Sequence, residues 1–155
     1  MKYFSVKDWN EWDDMGEAVI AYRNYVSSVR PELPEDIQRL TGAGGDISLN
    51  DGEITSVTIS IVSSAASMTI DGKWIHGTET GRRVFQLMYS GVVLVDSSID
   101  PDAEGLHGSG YGYHGFDEFE VIETGLYEHR MLFSSGIEFA IRFGNFILSY
   151  TDYHN

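Results

Sequence analysis

The C-terminal third of the chain contains the stretch that decides the fold, Tyr127 to Phe143, which reads YEHRMLFSSGIEFAIRF. Apolar residues alternate with polar ones on both sides of Ser134-Ser135-Gly136. Because strand side chains alternate between two faces, the two apolar sets share a face only if the connecting loop has an odd number of residues. A three-residue loop with glycine in the left-handed position meets that requirement. The stretch therefore predicts a hairpin with Glu128 opposite Arg142 on its outer face and His129 as a hydrogen-bonded residue of its apolar face.

Strand-like alternation continues outward from this hairpin over the whole region from Asp46 onward. Ile54 to Val62 is rich in β-branched residues, which favour strands. Arg82 to Val95 is a long strand in which Gly91 is expected to form a bulge or bend. Phe116 to Ile122 alternates so that neither face is cleanly apolar, and we expect it to lie at the edge of a sheet.

One turn is expected between two of these strands. Ser67 to Ile70 runs into Asp71-Gly72, a dipeptide typical of two-residue hairpin turns because both residues tolerate a positive φ. We therefore expect the chain to reverse there, with Trp74 leading the return strand.

The N-terminal region carries a helical pattern instead. An apolar stripe steps by three and four residues along one helix face: Trp12, Met15, Val19, Tyr22, Val26 and Val29. This spacing predicts an amphipathic helix that begins near Asp8 or Asn10. Arg30-Pro31 should end it, because the residue before a proline disfavours the helical conformation. A second short helix is predicted over Pro34 to Leu40, since proline suits the first helical position.

These patterns predict one domain over residues 1–155, with a helical part at 1–45 and a β part at 46–155. The expected fold class is α+β, with N-terminal helices packed on a mostly antiparallel β-sheet or a partly closed β-sandwich. A chain of this length buries about 70% of its extended surface, which is enough for one core. Parallel βαβ units are not expected, because no helical pattern separates the later strands.

The charge of the chain limits its partners. The net charge is -14, and the tract from Val84 to His129 holds nine carboxylates without a lysine or arginine. Such a field repels nucleic acid and anionic membranes and attracts basic molecules. We therefore expect a basic protein partner, no nucleic acid and no membrane.

The compartment is predicted from cysteine content and hydropathy. The chain has no cysteine, so it has neither a disulfide framework nor a thiolate metal site. The N-terminus becomes polar before a signal-peptide core could form, and no apolar run approaches 18 residues. These features predict a cytoplasmic protein.

The segment Asp100-Pro-Asp102-Ala-Glu104-Gly105 is similar to the first half of a calcium-binding loop. Calcium loops of this type end in a bidentate acid at position twelve, where Tyr111 stands here. A solvated connection is therefore expected here, without a structural calcium site. For the chain as a whole we expect no metal and no cofactor.

The next stretch, Gly105 to Gly115, has five glycines interleaved with histidines and tyrosines. It lacks the lysine of a phosphate-binding loop. Tyr111 and Tyr113 offer large contact area at low entropic cost, so the loop is either a contact surface or a plain connection that glycines allow to turn.

Two kinds of chemistry remain open for the acidic tract. A metal site formed by folding would combine His107 or His114 with Asp117. Paired carboxylates for sugar hydrolysis could come from the acids between Asp117 and Glu123. Neither signal is specific, because acids are abundant in this chain.

Three motifs resemble those of an uncharacterised family of small bacterial proteins. Leu33 to Leu40 reads LPEDIQRL and Ser48 to Gly52 reads SLNDG, similar to a Leu-Pro helix and an S-L-H-D-G/A motif at the start of the first strand. Glu128 to Glu138 reads EHRMLFSSGIE, similar to the family's E-H-R-x-L-F-S-x-G-I-E ending. Asn50 stands where the family has histidine, so any role of that histidine is lost or altered here. The resemblance implies an immunity or accessory protein.

Charge and resemblance together predict a non-enzymatic, acidic protein-binding module. We expect it to be an immunity or accessory protein that acts against a basic partner such as a bacterial toxin. The candidate partner-binding residues are Asp100, Asp102, Glu104, Tyr111, Tyr113, Asp117 and Glu118. The alternatives are a carboxylate-dependent hydrolase acting on sugars and a small-ligand-binding accessory domain. In a binding module the carboxylates from Asp96 to Glu123 should be largely exposed, whereas in a hydrolase they should converge in a cleft with raised pKa values.

Overall fold

The computed structural model describes residues 1–6, 15–41, 47–76, 79–99 and 111–154. Two α-helices lie in this part of the chain, α1 (Met15–Val29) and α2 (Glu35–Thr41), with a 3-10 turn (Arg30–Glu32) between them. The eight strands described are β1 (Glu53–Ser60), β2 (Ala65–His76), β3 (Glu79–Ser90), β4 (Leu94–Ile99), β5 (His114–Glu123), β6 (Leu126–Phe133), β7 (Ile137–Phe143) and β8 (Asn145–His154). None of the described helices is long and apolar enough to cross a membrane.

The strands form two antiparallel sheets, with the orders β1-β2-β3-β8 and β4-β7-β6-β5. The faces that the sheets turn toward each other share one apolar core, in which Phe85 and Leu87 of β3 are buried together with Met131 of β6 and Ile141 of β7. The predicted α+β class, with N-terminal helices and antiparallel sheets, is confirmed.

At two places the chain passes from one sheet directly into the other. β3 continues into β4 and β7 continues into β8, while β3 pairs with β8 and β4 pairs with β7. The two strands bend at the same place, where the Gly144 amide donates a hydrogen bond to the Ser90 carbonyl at 3.0 Å. Gly91 has a φ of +63°, a conformation open to glycine because it has no Cβ. The bend predicted at Gly91 is confirmed.

The β6–β7 hairpin has the predicted geometry. Its loop is residues 134–136, with Gly136 at a φ of +78°, and the pairing places Glu128 opposite Arg142. The Arg142 guanidinium donates two hydrogen bonds to Glu128 Oε2, at 2.9 and 2.6 Å. Parity of the apolar residues and turn chemistry therefore specified this register correctly.

The turn expected at Asp71-Gly72 is wrong. β2 continues to His76, and Gly72 pairs with Arg83 of β3 as an ordinary strand residue. A Cβ on Gly72 would lie 3.1 Å from Cε2 of Phe85. Glycine stands here because a core ring approaches the backbone closely, which is a common role of glycine inside a strand.

The helices close the open side of the sandwich between β5 and β8, both of which are edge strands. The Tyr22 hydroxyl accepts a hydrogen bond from the Phe119 amide at 2.7 Å, and the Tyr25 hydroxyl accepts one from the Val121 amide at 2.9 Å. On β8, the Leu148 amide donates to Asp36 Oδ2 at 2.9 Å. Side chains of the helical part thus satisfy strand amides that would otherwise form an exposed edge.

The helix boundaries follow the sequence closely. The first helix ends at Val29, directly before Arg30-Pro31, as predicted. The second begins at Glu35, one residue after the predicted start, and its Ile37 is fully buried. The start predicted near Asp8 or Asn10 lies outside the described residues. The edge position predicted for the strand at 116–122 is confirmed, because β5 ends its sheet.

Candidate functional site

Four of the seven candidate partner-binding residues lie together at the start of β5 or just before it: Tyr111, Tyr113, Asp117 and Glu118. The other three, Asp100, Asp102 and Glu104, lie outside the described residues, as do the calcium-like segment and most of the glycine-rich loop. The site is therefore built from the region around β5.

The two tyrosines have different surroundings. The Tyr111 ring packs edge-on against the rings of Phe133 and Phe139, with centroid separations of 5.4 and 6.1 Å. Tyr113 is 52% exposed. Its amide donates a hydrogen bond to Ser134 Oγ at 2.9 Å, and its carbonyl accepts one from the Ser134 amide at 2.8 Å. Tyr111 therefore fastens this segment to the core, and Tyr113 presents its ring to solvent.

Glu118 lies on the outer face of β5, beneath the N-terminal segment. It is only 2% exposed. Its Oε1 accepts hydrogen bonds from the amides of Tyr3 and Phe4 at 2.7 and 2.9 Å, and its Oε2 accepts one from the Lys2 amide at 2.9 Å. The expectation that the acids from Asp96 to Glu123 lie exposed is therefore wrong for Glu118. The backbone amides of residues 2–4 need hydrogen-bond acceptors, and this carboxylate provides them.

Asp117 points to the opposite face of β5, toward the core. Its side chain keeps 20% exposure because it lies at the wall of a pocket of about 200 Å³. The pocket is lined by residues of the N-terminal segment, both helices, the segment before β1, and β5: Phe4, Tyr22, Leu40, Ile47, Ser48, Leu49, Asn50, Gly115, Phe116 and Asp117. We call this the Asp117 pocket.

A β-bulge at Gly115 gives the pocket its polar wall. Residues three apart in a regular strand lie on opposite faces, yet His114 and Asp117 both face inward. They do so because the register shifts between His114, which pairs with Phe133, and Phe116, which pairs with Leu132. The extra residue turns one side chain to the other face, as bulges near functional sites often do.

The wall formed by residues 48–52 is attached to β5 through the backbone. The Asp51 amide donates to the His114 carbonyl at 2.9 Å, and the His114 amide donates to the Gly52 carbonyl at 2.7 Å. Asp51 has a φ of +60°, which aspartate tolerates better than most residues. Leu49 is buried in the core. The S-L-N-D-G motif thus combines a core anchor with a tight turn, and it brings Asn50 to the mouth of the pocket.

Buried polar groups lie behind Asp117. His114 is fully buried, and its Nε2 lies 3.6 Å from Asp117 Oδ1; neither ring nitrogen has a hydrogen-bond partner among the described residues. His129 is also fully buried, with Nδ1 hydrogen-bonded to the Tyr89 hydroxyl at 2.9 Å. Its ring stacks on Phe119 at a centroid separation of 3.9 Å. The prediction that His129 is a hydrogen-bonded core histidine is confirmed.

Burial determines the ionisation of these groups. Together with a smaller contribution from the neighbouring Glu118 charge, it raises the pKa of Asp117 to about 7. It lowers the pKa of His114 to about 3 and that of His129 well below its usual value. The titratable groups that interact with Asp117 are Tyr22 of α1, Tyr89 of β3 and His114 of β5, together with the charge of Glu118, its neighbour on the opposite face of the strand. The histidines are therefore neutral at pH 7, while Asp117 is divided between its two protonation states.

The geometry limits the chemistry of the site. Asp117 and Glu118 lie on opposite faces of β5, so these two acids do not flank a common cleft as the carboxylates of a glycosidase do. His114 and Asp117 come together, as one metal hypothesis required. Among the described residues, however, no group of three or more histidine or acidic side chains is arranged to hold a metal ion. What the pocket offers is a single carboxyl group with a neutral imidazole behind it.

A second feature of the surface was missed by the sequence interpretation. Residues 61–64, which connect β1 to β2, lie beside the corner where β3 becomes β4, and the Val92 amide donates to the Ser64 carbonyl at 2.8 Å. Five aliphatic side chains are exposed here: Ile59, Ile61, Val62, Val93 and Leu94. We call this surface the aliphatic corner, and it borders a cavity of about 250 Å³. The signal for it was the absence of any charged residue from position 54 to 70.

No family model matches the chain, and no curated protein matches it.

Proposed function

We propose that this protein is a non-enzymatic, acidic protein-binding module of immunity or accessory type, acting in the cytoplasm on a basic protein partner such as a bacterial toxin. The observation that carries the proposal is the aliphatic corner, which is exposed on a chain of net charge -14. Apolar contact area and long-range attraction are the two requirements of a fast and stable interface with a basic protein.

The aliphatic corner supplies the apolar area. Ile61 is 90% exposed, Val62 is fully exposed and Val93 is 68% exposed. Isolated apolar residues on a surface are common, but contiguous groups of them mark interaction sites. Covering them would contribute about 25 cal/mol per Å² of apolar surface removed from water. Contact with a partner would therefore remove this apolar surface from water and stabilise the complex.

The charge supports a basic occupant over a second copy of this chain. Two copies would each carry a charge of -14, and this repulsion opposes close approach. A basic protein is attracted by the same field, which raises the association rate when salt is low. The corner itself lacks charge, so a partner can cover it without burying an unpaired ion.

The same geometry favours binding over the hydrolase alternative. A paired-carboxylate mechanism needs two acids that reach one bond from either side. Glu118 is occupied by three backbone amides on the outer face, while Asp117 lies on the inner face. This arrangement supports a structural role for Glu118.

The proposal is tested by affinity capture with wild-type protein and two variants, followed by binding kinetics with the purified partner. The Ile61→Ser/Val62→Ser variant removes the centre of the aliphatic corner. Ile20→Ser is the matched control, because Ile20 is also an exposed isoleucine but lies on α1. We expect a basic protein to be captured by wild type and by the control, with binding at least tenfold weaker for the double variant, which is about 1.4 kcal/mol.

Salt provides the second arm of the test. The association rate with the purified partner should fall as ionic strength rises, while dissociation changes less. Co-expression with a toxic partner should restore growth if the protein is of immunity type. Capture that is equal for all three proteins, or a captured partner that is acidic, would contradict the proposal.

A further inference from the structure

We infer that the Asp117 pocket receives the ammonium or guanidinium group of a lysine or arginine side chain, carried by the basic partner. The identity of the carrier rests on the proposed function, whereas the chemistry of the site rests on the pocket alone. This cation subsite lies at the opposite end of β1 from the aliphatic corner.

The described wall of the pocket carries a carboxyl group and lacks a positive charge. None of the described residues that line the pocket is basic. Arg130 of β6 stands opposite Glu118 in the strand register, so its side chain lies on the outer face of the sheet. There it forms ion pairs with Glu120 and Glu128. Lys2 is bound to Glu120 on that face as well. Among the described residues, the carboxyl group at the wall of the pocket therefore has no counter-ion.

A buried imidazole lies behind the carboxyl group. His114 is fully buried, its two ring nitrogens have no partner among the described residues, and Nε2 lies 3.6 Å from Asp117 Oδ1. A neutral imidazole at this distance does not neutralise the carboxylate. Buried polar groups of native proteins are nearly always satisfied, so unpartnered atoms on the core side of Asp117 indicate a site that is completed from outside.

The size and lining of the pocket suit a long cationic side chain. Its volume of about 200 Å³ is several times the ~30 Å³ that one water molecule occupies in the liquid, which is room for the alkyl stem and amino group of a lysine. Leu40 and Ile47 provide apolar surface for the stem, and Tyr22 and Phe116 provide aromatic surface near the carboxyl. Lysine and arginine combine an apolar stem with a cationic head, and such heads also favour aromatic faces.

The ionisation of Asp117 agrees with this arrangement. Its pKa is raised to about 7, mainly by desolvation and to a smaller extent by the neighbouring Glu118 charge. A bound ammonium group favours the ionised form and would lower that pKa. By linkage, cation binding and proton release are coupled, so the cation binds more tightly when the pH lies above 7.

The test uses small cations, so it does not depend on finding the partner. Two probes are titrated into isotopically labelled protein at pH 6 and pH 8 and followed by NMR: n-butylammonium chloride and Nα-acetyl-lysine-N-methylamide. Sodium chloride at equal ionic strength is the reference. The variants are Asp117→Asn and the matched control Glu123→Gln, since Glu123 is an exposed acid on the same strand.

We expect saturable shifts of the amides of Ser48, Asn50, Gly115 and Phe116, with both probes in the millimolar range. Binding should be about tenfold weaker at pH 6 than at pH 8, because a group with a pKa near 7 is about 10% ionised at the lower pH and about 90% at the higher. The carboxyl carbon of Asp117 should titrate at least one pH unit lower in saturating probe. Asp117→Asn should abolish the shifts, and Glu123→Gln should leave them unchanged.

Three results would overturn the inference. The first is an absence of saturable shifts around the pocket with either probe. The second is equal binding by wild type and Asp117→Asn. The third is binding of n-butylammonium with exclusion of the lysine mimic, which would remove the assignment to a protein side chain. None of these results involves the aliphatic corner, so the proposed function is judged separately.

Discussion

Replacing Asp117 by asparagine should change the pH dependence of stability in a defined direction. The substitution keeps the shape of the side chain and removes its ionisation. In wild type the pKa of this carboxyl rises from 3.8 to about 7 on folding. The folded state therefore holds its proton more tightly than the unfolded state, and the free energy of unfolding falls as the pH rises from about 4 to about 7.

The magnitude follows from the size of this pKa change. At 1.36 kcal/mol per pH unit, the full change corresponds to about 4 kcal/mol. The side chain keeps 20% exposure, and contact with water reduces the penalty of ionisation, so we expect about 2–4 kcal/mol. Asp117→Asn should thus become more stable relative to wild type by this amount between pH 4 and pH 8.

The two buried histidines act in the opposite direction in both proteins. Burial lowers the pKa values of His114 and His129, so their contribution to stability is lost as the pH falls below about 6.5. Both histidines remain in the variant, and the difference between variant and wild type therefore isolates Asp117.

The assay is urea unfolding followed by far-ultraviolet circular dichroism at pH 4, 5, 6, 7 and 8, with Glu123→Gln as the control. The linear extrapolation gives the free energy of unfolding at each pH. A difference between Asp117→Asn and wild type that stays constant over this range would refute the reasoning, because it would mean that the carboxyl titrates alike in the folded and unfolded chain.

Two further predictions concern the walls of the site. Gly52→Ala should lower the free energy of unfolding by about 2 kcal/mol or more, because a Cβ there would lie 2.5 Å from a core methyl group and overpacking costs about 1–3 kcal/mol. The control Gly16→Ala lies on α1, where a Cβ would have nothing within 4 Å, and it should raise the free energy of unfolding by about 0.5–1 kcal/mol. Equal effects of the two substitutions in urea unfolding would contradict this prediction. Tyr22→Phe removes the acceptor of the Phe119 amide and should speed hydrogen exchange of that amide about tenfold, while Tyr25→Phe, whose hydroxyl serves a different amide of the same strand, should leave it protected.

The sequence alone determined the features that depend on neighbouring residues. In the stretch 127–143, the parity of apolar positions and the glycine of the loop fixed which residues oppose each other, and Glu128 does face Arg142. The bend at Gly91 and the end of α1 at Arg30-Pro31 were likewise predicted. Glycine allows backbone conformations that other residues avoid, and proline restricts the residue before it.

Tertiary structure decided the roles of Gly72 and Glu118. Gly72 looked like a turn residue, but it serves the close approach of Phe85, a residue of the next strand. Glu118 looked like a surface acid, but the amides of residues 2–4 cover it. Both outcomes depend on segments distant in the chain, whose contacts leave no mark in the local pattern.

The candidate site shows the same division. Alternation along β5 places Asp117 on one face and Glu118 on the other, and this much was readable from the sequence. His114 joins Asp117 only because the strand bulges at Gly115, and the pocket exists only because the helices and residues 47–50 pack against that bulge. Periodicity specifies the side of a strand on which a residue lies, whereas long-range packing decides what covers that side and so determines burial, ionisation and access.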